Sequence, residues 1–95
     1  MSQRSEFRGV RIYFSGIVQG VGFRFTARDL AFRHKIKGWV KNLSDGRVEI
    51  TAQGESAATG KFLESLRQEF KNNLTGVEIE ELVFNGRFDN FQIQF

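Results

Sequence analysis

Cysteine and proline are absent from this sequence, and histidine, tryptophan and tyrosine occur once each. Without cysteine the chain can form no disulfide and no cysteine metal site, and it has no thiolate nucleophile, so packing has to stabilise the fold. The sequence also has no apolar stretch long enough for a signal peptide or for a membrane-spanning helix. We therefore expect a soluble protein that is located in the cytoplasm and does not enter a membrane.

The 95 residues are 40% hydrophobic, and eleven of them are phenylalanine. A chain of this length forms one domain that buries roughly 60 to 65% of the surface its unfolded state exposes. The net charge of +3 is unevenly distributed, because residues 1–48 carry ten basic and three acidic side chains and residues 49–95 carry four and eight. A basic half of this kind favours a small phosphorylated ligand, although a nucleic-acid-binding surface produces the same asymmetry.

Hydrophobic residues alternate with polar ones in several short segments and follow a helical spacing in two others. Val10, Ile12 and Phe14 have the period of a half-buried strand. The first predicted elements are, in chain order, a strand over 10–15, a helix over 23–35, and two strands over 38–43 and 47–53 joined by an Asp45-Gly46 turn. They are followed by a helix capped by Ser56 that ends before Asn72, a strand from Val77 with a bulge or a change of partner at Glu80-Glu81, and a short strand over 91–95 paired beside the first.

This order of elements is βαββαβ with an additional short C-terminal strand. Right-handed crossover connections convert that order into a split βαβ arrangement, in which an antiparallel sheet carries two helices on one face. We therefore predict an α+β, ferredoxin-like sandwich over residues 8–95. A polar extension over residues 1–7, which can be disordered, precedes it.

Residues 16–24 (GIVQGVGFR) form a glycine-spaced turn between the first predicted strand and the first helix. Glycines allow a tight turn that exposes backbone N–H groups, and a helix start adds four unpaired N–H groups and about half a positive charge. Arg24 is unusual here, because a cation in the first turn interacts unfavourably with the macrodipole, by about 0.3 to 1 kcal/mol. The turn is therefore a candidate anion site, although its glycines alone are equally compatible with a purely structural turn.

Three segments closely resemble the two signatures of the acylphosphatases: residues 16–24, residues 38–42 (GWVKN) and residues 45–49 (DGRVE). The resemblance covers nearly the whole chain in order, spacing and length. It implies a small cytoplasmic ferredoxin-like monomer that hydrolyses the carboxyl-phosphate bond of acyl phosphates to a carboxylate and inorganic phosphate. It also implies that the reaction needs neither a metal ion nor a cofactor, and that no nucleic acid takes part.

The resemblance further implies roles for individual residues. Arg24 clamps the phosphate oxygens, which suits a planar, bidentate and permanently charged guanidinium, and Asn42 positions the attacking water. An acyl phosphate has a good leaving group, so charge stabilisation and in-line alignment can suffice without a strong base, and the phosphate itself is a candidate proton acceptor. The loop residues whose backbone N–H groups bind the phosphate are Gln19, Gly20, Val21, Gly22 and Phe23.

Other interpretations of the same residues remain open. Asn42 closely precedes the Asp45-Gly46 turn, where asparagine is often structural, and His34 fits a partly buried position at a helix end better than a catalytic role. A basic ferredoxin-like sheet can also be a non-catalytic phosphate- or RNA-binding module, and residues 19–25 resemble a ribonucleoprotein motif. That motif lies on a central strand, however, whereas these glycines lie between a strand and a helix.

Overall fold

A computed structural model describes residues 6–95 of the chain. We number its elements in chain order as β1 (Phe7–Gly16), α1 (Phe23–Arg33), β2 (Lys37–Asn42), β3 (Val48–Glu55), α2 (Ser56–Glu69), β4 (Leu74–Leu82) and β5 (Phe91–Gln94). The order of elements is the predicted one. Residues 1–5 of the predicted extension lie outside the described residues, and β1 begins at Phe7. Within residues 6–95, no helix combines the length and the hydropathy that crossing a membrane requires.

The five strands form one sheet in the order β4-β1-β3-β2-β5. The four longer strands pair antiparallel, and the buried side chains of both helices share one core with the sheet. This arrangement confirms the predicted ferredoxin-like fold. β5 makes the sheet mixed instead of purely antiparallel, because it runs parallel to β2.

The predicted partner of the last strand is wrong. β5 pairs with β2, with Ile93 opposite Val40, and not with β1. β1 has no free edge, because β3 and β4 occupy its two sides. β2 offers an edge along which Phe91 and Ile93 pack against the core. Sequence periodicity identifies a strand but does not identify its neighbour.

The bulge or change of partner predicted at Glu80-Glu81 is absent, because β4 pairs with β1 on both sides of these residues. The β1–β4 register is regular across Glu80 and Glu81, and its irregularity lies instead between Ser15 and Gly16. Both glutamates are exposed on this edge strand and form ion pairs with arginines of β1. Because neither side of β4 is deeply buried here, two consecutive acidic residues fit a regular strand.

The helix boundaries differ slightly from the predicted ones. α1 ends at Arg33, two residues before the predicted end. Ser56 is the first residue of α2, and Glu55 occupies the cap position without a side-chain hydrogen bond. The backbone N–H of Ser56 donates to the carbonyl oxygen of Glu6 at 2.7 Å. This bond satisfies one N–H group of the helix start in place of a side-chain cap.

The core between the sheet and the helices fixes the start of α1. Val10, Ile12 and Phe14 are fully buried, as their alternation predicts. Phe23, the first residue of α1, is 1% exposed. Its ring centroid lies 5.0 Å from that of Phe14 and 4.6 Å from that of Phe70. These contacts hold the first turn of α1 against β1 and the end of α2.

Candidate active site

The connection between β1 and α1 turns through two glycines with left-handed backbone conformations. Gly20 has a φ of 78° and Gly22 a φ of 81°, a region that residues with side chains rarely adopt. Gly22 caps α1, and no side chain caps the helix there. The first N–H groups of α1 therefore lack intrahelical acceptors. The first turn also contains no acidic side chain to offset the positive end of the macrodipole.

A small cavity of about 240 Å³ opens at this helix start. Most of its lining comes from the β1–α1 connection and the first turn of α1, and the end of β2 adds one residue. The lining residues are Val18, Gly20, Gly22, Phe23, Arg24, Phe25 and Asn42. The fold thus brings Arg24 and Asn42, which are distant in the sequence, into one cavity.

Asn42 is the last residue of β2. Its side-chain oxygen Oδ1 is buried and has no hydrogen-bond partner among residues 6–95. A buried acceptor without a partner costs about 1 to 3 kcal/mol, so its presence reduces stability. Because Asn42 lines the cavity, Oδ1 can accept a hydrogen bond from a molecule bound beside Arg24.

Arg24 gives the cavity a permanent positive charge. Its guanidinium carbon Cζ lies 4.9 Å from the centroid of the Phe95 ring, within the range of a cation–π interaction. Among the residues that the structure describes, no acidic side chain forms an ion pair with it. The charge and the unpaired helix N–H groups act together on the same small volume, so the cavity attracts anions.

Gln19 has a position that its sequence context did not reveal. Its side chain does not line the cavity. Its amide nitrogen Nε2 donates hydrogen bonds to the carbonyl oxygens of Leu43 at 2.8 Å and Arg47 at 2.9 Å. The side chain therefore ties the glycine turn to the β2–β3 hairpin, which carries Asn42. Val21 is also outside the lining, so any contribution of either residue to the cavity comes from its backbone.

The β2–β3 hairpin is itself held by hydrogen bonds around the predicted Asp45-Gly46 turn. The backbone N–H of Arg47 donates to Oδ1 of Asp45 at 3.1 Å, and Nε of Arg47 donates to Oδ2 at 2.9 Å. The backbone hydrogen bond from Arg47, more than its side chain, lowers the pKa of Asp45. The turn keeps the carbonyl groups of Leu43 and Arg47 close together, where Gln19 can reach both.

Sequence reasoning missed two lining residues, Val18 and Phe25. Val18 is 1% exposed although it belongs to a loop. Phe25 is 51% exposed, and Cζ of Arg28 lies 5.2 Å from its ring centroid. A signal for Phe25 exists in the sequence, because a phenylalanine next to Arg24 lies outside the apolar stripe of the helix.

Comparison with known proteins identifies the family. The acylphosphatase family model matches residues 10–93 of the chain. The chain belongs to the acylphosphatase family. An acylphosphatase from Bacillus velezensis is 52% identical over 67 residues, which cover 70% of this chain and 74% of the relative. The resemblance of the two sequence signatures to the acylphosphatases is thereby confirmed.

Solved acylphosphatase structures share the fold. The crystal structure of the Bacillus subtilis acylphosphatase superimposes with a TM-score of 0.84 at 35% identity, covering 93% of this chain and 99% of that chain. The structure of a Coxiella burnetii acylphosphatase gives a TM-score of 0.83 at 32% identity, covering 99% and 100%. The whole sheet and both helices therefore correspond to the acylphosphatase fold.

Proposed function

We propose that this member of the acylphosphatase family hydrolyses acyl phosphates to a carboxylate and inorganic phosphate. Membership of the family supports the reaction. One observation supports the placement of the site: a single cavity contains Arg24, the uncapped start of α1 and the unpaired Oδ1 of Asn42. The first two features suit a phosphate, and the third suits a water molecule.

In this proposal the phosphate lies at the N-terminal end of α1. The backbone N–H groups of the turn and of the first helical residues, with Gln19 to Phe23 as predicted, donate to its oxygens. Arg24 donates two parallel hydrogen bonds, as a guanidinium does to phosphate. The left-handed conformations of Gly20 and Gly22 support this role, because they let the backbone approach an anion closely.

Asn42 orients the water that attacks phosphorus. Oδ1 accepts a hydrogen bond from the water, which leaves an oxygen lone pair directed at phosphorus, opposite the acyl oxygen. As the new oxygen–phosphorus bond forms, the bond between phosphorus and the acyl oxygen breaks, and its electron pair leaves with the carboxylate. The water proton passes to a phosphate oxygen, so the products are a carboxylate and inorganic phosphate.

No strong base is required in this scheme. The residues lining the cavity in the described part of the chain include neither a carboxylate nor an imidazole. A carboxylate is already a good leaving group, so stabilising the charge on the transferring phosphoryl group is the main task of the protein. The positive helix end and Arg24 carry out that task.

We further propose that the protein acts as a cytoplasmic monomer without metal or cofactor. The monomeric state, the location and the independence from metal rest on the family resemblance. Size-exclusion chromatography with light scattering tests the monomer, for which we expect a single species of about the 10.9 kDa chain mass.

Hydrolysis of benzoyl phosphate in ¹⁸O-labelled water with excess EDTA tests the reaction. We expect rapid turnover with one ¹⁸O atom in inorganic phosphate, because water attacks phosphorus. Label in benzoate would place the attack on the carbonyl carbon and contradict the scheme. Loss of activity with EDTA and its recovery with a divalent cation would contradict the independence from metal.

The same assay separates hydrolysis from the non-catalytic alternatives. A folded protein that binds inorganic phosphate without turning over benzoyl phosphate would be a phosphate-binding module. The geometry does not favour RNA binding, since the glycines lie in the β1–α1 connection and not on a strand. Titration with single-stranded RNA at physiological salt is expected to give no specific binding.

Gln19→Ala tests whether the turn must be tied to the hairpin. The substitution removes two hydrogen bonds, from Nε2 to the carbonyl groups of Leu43 and Arg47. We expect kcat/KM for benzoyl phosphate to fall about tenfold, because Asn42 and the turn are no longer held at a fixed distance. Stability should fall by about 1 to 2 kcal/mol, as measured by urea unfolding. Gln68→Ala, an exposed helix substitution, is the control; an equal loss of activity in both variants would refute this role.

Gly22→Ala tests the conformation of the helix start. A Cβ atom at this position meets no atom within 4 Å, but the φ of 81° is strained for alanine. We expect a stability loss of about 1 to 2 kcal/mol and a fall in kcat/KM of at least tenfold, because relaxation of the strain moves the N–H groups that bind phosphate. Gly86→Ala carries a similar strain at a φ of 66° outside the cavity. Equal kcat/KM for the two variants would exclude a specific role for the Gly22 conformation.

A further inference from the structure

A second, larger cavity of about 880 Å³ lies beside the C-terminal half of α1. The side chains of Ala31, Phe32, Ile36 and Phe91 provide its apolar lining. Its charged lining consists of four cations and two carboxylates: Arg28, Arg33, Lys35, Lys37, Asp29 and Asp89. The cavity therefore lies between α1 and the start of β5. Its size is within the range of small-molecule pockets.

The apolar lining combines a buried base with exposed aromatic surface. Ala31 and Ile36 are buried, at 0% and 2% exposure. Phe32, which lines the same cavity, is 86% exposed. Phe91 is partly buried against the core, with its ring centroid 5.9 Å from that of Phe62. One side of the cavity is thus apolar surface packed against the core, and the other side is the exposed side chain of Phe32.

Aromatic and cationic residues connect this cavity to the site at Arg24. Phe25 lines the small cavity, Arg28 lines the large one, and Cζ of Arg28 lies 5.2 Å from the Phe25 ring centroid. On the β5 side, the strand starts at the large cavity with Phe91 and leads to Phe95, whose ring lies against Arg24. The two cavities therefore lie at opposite ends of the contact between α1 and β5, and we call the surface of these two elements between the cavities the α1–β5 groove.

The length of the groove follows from its two walls. From Arg24 to Phe32 the helix advances eight residues, or about 12 Å. From Phe91 to Phe95 the strand advances four residues, or about 13 Å. An extended acyl chain advances about 1.25 Å per carbon with bonds of about 1.5 Å, so about ten carbons extend from the phosphate site to Phe32.

We propose that the α1–β5 groove binds the acyl chain of the substrate and that medium-chain fatty acyl phosphates of about ten carbons are the preferred substrate class. This inference rests on the proposed hydrolysis at Arg24. The phosphate binds at the start of α1, and the chain extends along Phe25 towards Phe32 and Phe91. The stems of Arg28, Arg33 and the lysines add apolar surface. Because the four cations outnumber Asp29 and Asp89, the net positive charge draws the dianionic substrate to this side of the protein.

The test compares acetyl, hexanoyl and decanoyl phosphate below their critical micelle concentrations. Their carboxylates are similar leaving groups, so kcat should be nearly constant while KM falls with chain length. Complete burial lowers KM about fourfold per methylene, and the half-open groove is expected to give about twofold. Decanoyl phosphate should therefore have a KM about 10²-fold lower than acetyl phosphate. A KM that does not depend on chain length would overturn the proposal.

Phe32→Ser locates the effect in the groove. Because Phe32 is 86% exposed, its replacement leaves the fold intact. We expect KM for decanoyl phosphate to rise about tenfold and KM for acetyl phosphate to stay unchanged, whereas Phe32→Leu should retain most of the chain-length effect. Val83→Ser, at a residue 87% exposed outside the groove, is the matched control and should leave both substrates unaffected. Equal effects of Phe32→Ser on both substrates would refute the groove.

A binding measurement separates this inference from the proposed hydrolysis. Titration calorimetry with decanoate and hexanoate requires no turnover. We expect decanoate to bind more tightly to the wild type by about tenfold, and Phe32→Ser to remove that difference. If the protein hydrolyses neither acetyl nor benzoyl phosphate but binds decanoate in this way, the proposed hydrolysis fails and the groove stands. Hydrolysis of acetyl phosphate without chain-length-dependent binding would overturn the groove alone.

Discussion

Arg24→Ala is expected to lower kcat/KM for benzoyl phosphate by about 10² to 10³ fold, the typical effect of removing one preorganised electrostatic group. The guanidinium contacts the phosphate in both the ground state and the transition state, so KM and the inhibition constant of inorganic phosphate should rise as kcat falls. Steady-state kinetics with phosphate as a competitive inhibitor measures all three quantities.

The free energy of unfolding shows whether the loss of activity in Arg24→Ala comes from the missing guanidinium or from misfolding. Arg24 lies at the positive end of α1 and has no acidic partner among the described residues. Its removal relieves a macrodipole penalty of about 0.3 to 1 kcal/mol and loses a cation–π contact with Phe95 of similar size. The free energy of unfolding of Arg24→Ala should therefore stay within about 1 kcal/mol of the wild type.

Two further variants test whether the effect requires a guanidinium and whether it is specific to position 24. Arg24→Lys retains the charge but cannot make two parallel hydrogen bonds, so most of the loss should remain. Arg67→Ala, at an exposed position in the last turn of α2, should leave kcat/KM within about twofold, which is the ordinary range for an exposed position. Wild-type activity in Arg24→Lys would show that charge alone is sufficient and would contradict the proposed clamp.

Asn42→Ala is expected to lower kcat by about 10² to 10³ fold while changing the inhibition constant of phosphate by less than about threefold. The amide contacts the attacking water and not the phosphate in our scheme, so the loss appears in turnover and not in affinity. Product inhibition by phosphate and initial rates with benzoyl phosphate measure the two effects separately.

The same variant has an unusual expected effect on stability. Oδ1 of Asn42 is a buried acceptor without a partner in residues 6–95, and alanine removes that unfavourable group. We expect Asn42→Ala to be as stable as the wild type or more stable by up to about 1 kcal/mol, measured by urea unfolding. Asn72→Ala, at an exposed position after α2, controls for the loss of an asparagine. If Asn42→Ala abolished phosphate binding and left turnover of bound substrate intact, the assigned roles would be wrong.

Much of the fold could be predicted from sequence because it depends on local periodicity. The alternation in β1 places Val10, Ile12 and Phe14 in the core, and all three are fully buried. The Asp45-Gly46 dipeptide predicts a turn that the structure contains between β2 and β3. The partner of β5 could not be predicted, because pairing depends on which edge is free after the other strands have assembled.

Part of the candidate site could be proposed from the sequence. Glycines followed by Arg24 at a helix start indicate an anion site through helix electrostatics alone. Two features of the site depend on distances between segments. Gln19 donates hydrogen bonds to the β2–β3 hairpin, and Oδ1 of Asn42 has no hydrogen-bond partner among residues 6–95. Periodicity carries no information about such distances, so these two features required the structure.

The structure of the protein with bound inorganic phosphate tests the central claim most directly. We predict that phosphate lies at the start of α1, with oxygens bonded to backbone N–H groups of the glycine turn and to the guanidinium of Arg24, and with a water on Oδ1 of Asn42. Phosphate bound instead among Arg33, Lys35 and Lys37, with the cavity at Arg24 unchanged, would contradict the account.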